Sequence, residues 1–321
     1  MKAYILRRIL IAIPLLLAMS FVTFLFIHLA PGNFFDSLRL NPQISEETIS
    51  KYQAQYHLDM PVIVQYIYWL KNILRLDLGY SFFYNCPVSK VIFSRLFNTI
   101  ILSISSLLLT WLVAIPLGIY AALKHNRFID RLFSVFSLFG LSMPGFFFAL
   151  ILLYLASLTG WLPLGGMRST NFDSLSSSAK AFDILRHLIL PATVISIASI
   201  GSLQRIMRAN LLEVLRQQYV LSARAKGLPE SLVIYKHALR NAINPLITIF
   251  GYELSGLLSG AALIEIVFNW PGLGMVMLTA VRAQDLFLVM ADMLLGGVLL
   301  LFGNLAADIL LAWSDPRIRY E

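Results

Sequence analysis

The stretch YVLSARAKGLPESLVIYKHALRNAINP, Tyr219 to Pro245, lies between two apolar runs and carries Arg224, Lys226, Lys236, His237 and Arg240. Val220, Leu221, Ala223 and Ala225 favour a short helix, and Gly227 stands where a left-handed cap would end it. Pro229-Glu230 opens a second helix, with a proline and an acid in its first turn. That helix runs through Leu232, Val233, Tyr235 and Leu239 and ends basic, after which Asn244-Pro245 begins the next apolar run. Two short helices across a glycine corner suit a docking surface. The bland alternative is a basic loop resting on anionic lipid headgroups.

The runs on either side place the chain in a membrane. Of 321 residues, 58% are hydrophobic and 13% charged, against about 25% charged in soluble domains. The formal net charge is +8, but the basic residues sit in short segments beside apolar runs, as topology signals do. No nucleic-acid partner is expected. Cys86, the single cysteine, excludes an internal disulfide, and no Cys/His cluster has metal-ligand spacing. No cofactor or metal is expected.

The apolar run from Ile9 to Leu29 is longer than the core of a cleaved signal, and reads as an uncleaved first span. Five more follow at 97–122, 132–158, 188–206, 243–268 and 286–312, so the expected fold is all-α, polytopic, with six transmembrane helices. Lysines and arginines at 2, 7, 8, 124, 127, 131, 205, 208, 216, 224, 226, 236, 240, 317 and 319 gather on one side. By the positive-inside rule that side is cytoplasmic, with both termini, while 30–96 and 159–187 lie outside. The expected organisation is a first helix plus external segment (1–96), a five-helix core (97–313) holding the cytoplasmic loop 207–242, and a cytoplasmic tail (314–321).

The external segment is more than a linker. Ser45-Glu46-Glu47-Thr48 opens one short helix and Asp59-Met60-Pro61 another, lying on the outer membrane surface or under a partner. Ser169–Ser178 (STNFDSLSSS) reads as a polar loop with little order. Pro14, Pro116 and Pro144 fall inside spans, Pro191 and Pro245 near span starts; interior prolines kink helices, either as packing irregularities or as hinges. Gly256-x-x-x-Gly260 permits close helix packing.

Chemistry of its own is missing from the sequence. No G-x-x-x-x-G-K-[ST] motif occurs, and His28, His57, His125, His187 and His237 are scattered. Glu253, Glu265, Asp292 and Asp308 fall in or near spans, where structural pairing and ion coupling both remain open. Glu265 and Asp308 are expected near span ends, within reach of water or a partner's cation.

Ala223-Arg224-Ala225-Lys226-Gly227-Leu228, with His237-Ala238-Leu239-Arg240-Asn241-Ala242 and Pro245, resembles the cytoplasmic loop of ATP-binding-cassette (ABC) importer permeases of the dipeptide/oligopeptide/nickel type. The usual motif E-A-A-x-x-x-G is only partly kept: Leu221-Ser222-Ala223 precede Gly227, without the glutamate and first alanine. The likeness continues through Leu6-Arg7-Arg8, Ala30-Pro31-Gly32, Leu58-Asp59-Met60-Pro61, Leu76-Asp77-Leu78-Gly79-Tyr80-Ser81, Ser142-Met143-Pro144, Phe268-Asn269-Trp270-Pro271-Gly272-Leu273-Gly274 and Asp315-Pro316-Arg317-Ile318-Arg319. The long external segment resembles the first of that family's two paired permeases.

The resemblance implies a non-enzymatic subunit in a bacterial inner membrane. It would form a pathway with a second homologous permease, driven by two cytoplasmic ABC ATPase subunits and fed by an external substrate-binding protein. Leu221, Ser222, Ala223, Arg224, Ala225, Lys226, Gly227 and Leu228 would couple to the ATPase. Peptides are the expected substrate, with nickel or another small polar solute as the alternative. An ion-coupled secondary transporter would instead show an internal repeat with matching broken helices, and none is visible in the sequence.

Overall fold

In a computed structural model, which describes residues 2–39, 45–247, 249, 250, 253, 256 and 262–314, the apolar runs become helices. Those long and apolar enough to cross a bilayer fall in α1 (Lys2–Leu29), α5 (Val88–Leu123), α8 (Ser177–Val214) and α14 (Leu286–Ser314). The expected third span is two helices, α6 (Phe128–Ser142) and α7 (Gly145–Thr159), bent by 106°. Met143 is extended there, and Pro144 caps α7 from outside it. A residue before proline is pushed out of the α region, so Met143-Pro144 ends one helix and begins another instead of kinking a single span. Most of the expected fifth span, 243–268, lies outside the described residues; its last turns are α12 (Ala262–Val267). Of the Gly256-x-x-x-Gly260 pattern only Gly256 is described, and the tail beyond 314 is not.

The chain divides into two compact units. One comprises 2–99 and 271–301. Its short helices are α2 (Phe34–Arg39), α3 (Glu46–Gln55), α4 (Val62–Ile73) and α13 (Leu273–Arg282). Ser45 accepts a hydrogen bond from Thr48 N and so caps α3, while Pro61 precedes α4, as the sequence leads one to expect. Tyr66 and Trp69 on α4 are buried with Phe24, Ile92, Val276, Phe287 and Leu288. A two-residue hairpin pairs Tyr80–Ser81 (β1) with Cys86–Pro87 (β2).

Asp285, fully buried between α13 and α14, ties that hairpin down. It accepts from Ser81 Oγ (2.6 Å) and Phe83 N (3.1 Å). Burial raises its pKa, against the pull of these donors. A raised carboxyl favours the folded state below its ordinary value of about 4, and that contribution fades as pH rises through the folded value.

The other unit comprises the described residues of 100–270 and 302–314. Helix α8 is its axis. Gly201 lies so close to α6 that an added Cβ would stand 2.7 Å from Ser137 O, and at Gly118 of α5 a Cβ would stand 2.7 Å from Met207 Cβ. Small residues here let helices touch where apolar side chains gain little over lipid. Three readings need correction in this unit. Pro191 is interior to α8, because the helix begins at Ser177, eleven residues before the apolar run. The 169–178 loop is ordered by Asp183, which accepts from the backbone and hydroxyl of Ser169, and by Arg168 and Lys180 over the Phe172 ring. Glu265 is fully buried instead of solvent-reachable, in a turn closed by the Trp270 N–H donating to Glu265 O (2.7 Å).

Two outcomes test this packing. Melting curves in detergent from pH 5 to 8 should show the wild type losing stability as pH rises, with the slope flattened in Asp285→Asn. Gly201→Val should destabilise by about 1–3 kcal/mol through overpacking, read as a lower melting midpoint.

Candidate coupling surface

Leu215 ends α8, and a short turn leads into α9 (Gln218–Ala225). Lys226 caps it and Gly227 follows with φ +75. Gly227 N donates to Arg224 O (2.9 Å) and Leu228 N to Ala223 O (3.4 Å), the paired bonds of a Schellman end. The left-handed cap expected at Gly227 is therefore present. Nothing in the chain lies within 4 Å of a Cβ built on it, so the constraint is backbone conformation alone.

Pro229 stands just before α10 (Glu230–Leu232), one place earlier than the sequence suggests. Arg224 reaches over the corner to Glu230, Nη2 donating to Oε1 at 2.6 Å and Nε to Oε2 at 3.2 Å. The pair is exposed, and such pairs contribute less than about 1 kcal/mol. The second helix widens to a π-helical turn at Val233–Ala238, narrows again in α11 (Leu239–Ala242), and is helical once more at 244–247. Asn241 Nδ2 donates to Tyr219 Oη (2.8 Å), joining the two ends of the excursion. Sequence reasoning missed the π turn and the Arg224–Glu230 fork; a basic and an acidic residue flanking the glycine were the only signal for the latter.

The eight expected coupling residues form one continuous corner with two faces. Ala223 is buried and Leu228 half-buried, whereas Leu221, Ser222, Arg224, Ala225, Lys226 and Gly227 are exposed. The inner face, Val220, Ala223, Val233, Ala238 and Ala242, belongs to a single cluster with Leu203, Met207 and Leu211 of α8 and Ala114 and Ala122 of α5. Burial of each large apolar side chain contributes roughly 1.5–3 kcal/mol. The outer face keeps apolar residues in the open: Leu221 at 44%, Tyr219 at 43% and Tyr235 at 62% exposure. The last two were not among the expected site residues.

A second polar cluster lies beside the α5–α6 turn. Asp130, nearly buried, accepts from Arg208 Nε (2.5 Å) and Nη2 (2.7 Å) and from Asn126 N (2.9 Å), while His125 Nδ1 lies 3.0 Å from Arg208 Nη2. This bidentate pair fastens the turn to α8. Among the intramembrane acids, Glu253 accepts from Trp111 Nε1 (2.9 Å). Asp292 is largely buried. Among the described residues no group of three or more His, Cys, Asp or Glu could hold a metal ion.

The family model described as the inner membrane component of binding-protein-dependent transport systems matches residues 114–320, and the model for the N-terminal part of such components matches 1–103. The chain is 40% identical to the oligopeptide transport system permease protein AppB of Bacillus subtilis, with all of both chains covered. It is 36% identical to the glutathione transport system permease protein GsiC of Salmonella typhimurium and 35% identical to the dipeptide transport system permease protein DppB of Alkalihalophilus pseudofirmus, again over the whole of each chain.

The division into faces predicts a contrast. Leu211→Ala should cost about 2–5 kcal/mol, seen as a lower melting midpoint, while Leu221→Ala should stay within about 0.5 kcal/mol of wild type.

Proposed function

The chain belongs to the family of inner membrane components of binding-protein-dependent transport systems, and on that premise we propose that it is a permease subunit of an ATP-driven importer of di- or oligopeptides. It is a multi-pass membrane protein. The names of its relatives favour peptides over nickel chelates. In this reading it forms the pathway with a second homologous permease, receives solute from an external binding protein, and is moved by two cytoplasmic ATPases. It hydrolyses nothing itself.

The positive-inside count puts both termini, the 207–242 loop and the 314–321 tail in the cytoplasm. Residues 1–96 then form the first helix with its external segment, and 97–313 the core. Residues 221–228 are the contact with the ATPase. One observation carries this: a glycine-cornered loop whose inner face is sealed onto α8 and α5 while its outer face leaves Leu221, Ser222, Lys226 and Gly227 uncovered by the chain. A partner pushing on that face moves α8 and α5, because the loop is packed onto both. A free loop would absorb the push.

Gly227→Phe tests the contact. Nothing in the described chain lies within 4 Å of a Cβ built there, Gly227 itself is exposed, and the left-handed conformation costs about 1–2 kcal/mol, so the subunit should still reach the membrane in normal amount. Uptake of labelled tripeptide by cells expressing the whole transporter should fall by an order of magnitude or more, with ATP hydrolysis no longer raised by loaded binding protein. Unchanged uptake would refute the coupling role. A purified subunit that brings down no ATPase would refute the larger reading.

A further inference from the structure

A groove of about 510 Å³ opens between α6 and α8, lined by Ser134 and Leu141 from α6 and by Ser202, Arg205, Ile206 and Arg208 among others from α8. Its two cations differ. Arg208 is neutralised by Asp130, which accepts from its Nε and Nη2. Arg205 is exposed, and among the described residues no carboxylate lies within ion-pair reach of it. The Ser202 hydroxyl, three residues earlier and so on the same helical face, likewise has no hydrogen-bond partner among the described residues. Leu141, Ile206 and Ala209 supply an apolar floor.

Arg205 ends the apolar run 188–206. It stands at the inner end of that run, among the cations of the positive-inside count, so a solute leaving for the cytoplasm would pass at its level. A guanidinium with its donor edges open, beside a hydroxyl donor, matches a carboxylate in charge and geometry. We propose that this groove is a transit subsite for the carboxylate of the transported solute, with Arg205 as its anchor and Ser202 as a second donor. The assignment rests on the transport reading above and adds a specificity element to it: a solute with a free carboxylate is held, and its amide is not.

The test uses the whole transporter in phosphatidylcholine nanodiscs, with Cys86→Ser removing the native thiol and Ser202→Cys providing a reporter. The anionic sulfonatoethyl methanethiosulfonate should modify the reporter about tenfold faster than the cationic trimethylammonium reagent, after correction for their rates with free cysteine. Arg205→Gln should abolish the preference, and trialanine should slow labelling where trialanine amide does not. Absent labelling, equal corrected rates or a preference that survives Arg205→Gln would overturn the subsite. Equal or absent protection by the two peptides would overturn its assignment to a solute carboxylate. A preference erased by adding phosphatidylglycerol, with trialanine without effect, would give the groove to lipid phosphate and overturn it too. Trialanine uptake by wild-type cells is scored separately: its absence would sink peptide transport, while the charge preference would still decide whether the groove draws an anion.

Discussion

The seating of Val220, Ala223 and Val233 against Leu203, Met207 and Leu211 is the contact on which the rest depends. Loops between membrane helices ordinarily have little to bury and move independently of the bundle. Here α8 continues to Val214, past the apolar stretch that ends near 206, and its last turns offer an apolar stripe at i, i+4 and i+8. The two short helices close over that stripe. Alanines at 223, 238 and 242 keep the approach tight, so displacement at the corner has no soft layer in which to dissipate.

Much of this was legible because local rules and membrane rules agree. Gly227 after a helix-forming run, Ser45 before Glu46-Glu47, and Pro61 before Val62 each carry a backbone preference that the surroundings reinforce. What escaped reading was set by tertiary contact. Hydropathy cannot tell a straight span from one broken at Met143-Pro144, since both have the same composition. It also misplaced the start of α8, because Ser177–His187 is polar yet helical, held by Asp183 and His187 turning their polar ends into the protein. Glu265 looked solvent-reachable because its burial is set by tertiary packing that hydropathy does not encode.

The residues proposed for coupling show the same division. Their spacing announced the corner, but not which of them face inward. A helix of eight residues presents both faces within two turns, and only the partner surface on α8 decides that Ala223 is inside and Leu221 outside. Tyr219 and Tyr235 were passed over for a related reason. An exposed aromatic in sequence looks like any core residue until the neighbouring helices have taken their places.

The π-helical turn at Val233–Ala238 has a consequence for chain length. Such a turn is an α-helix accommodating one surplus residue. Removing one residue there would restore ordinary winding while the helix beyond it kept its rotational phase, whereas a deletion in α9 would swing every later side chain by about 100°. Length variation tolerated at this one place, and nowhere else between Gln218 and Ala242, is the signature such a geometry would leave.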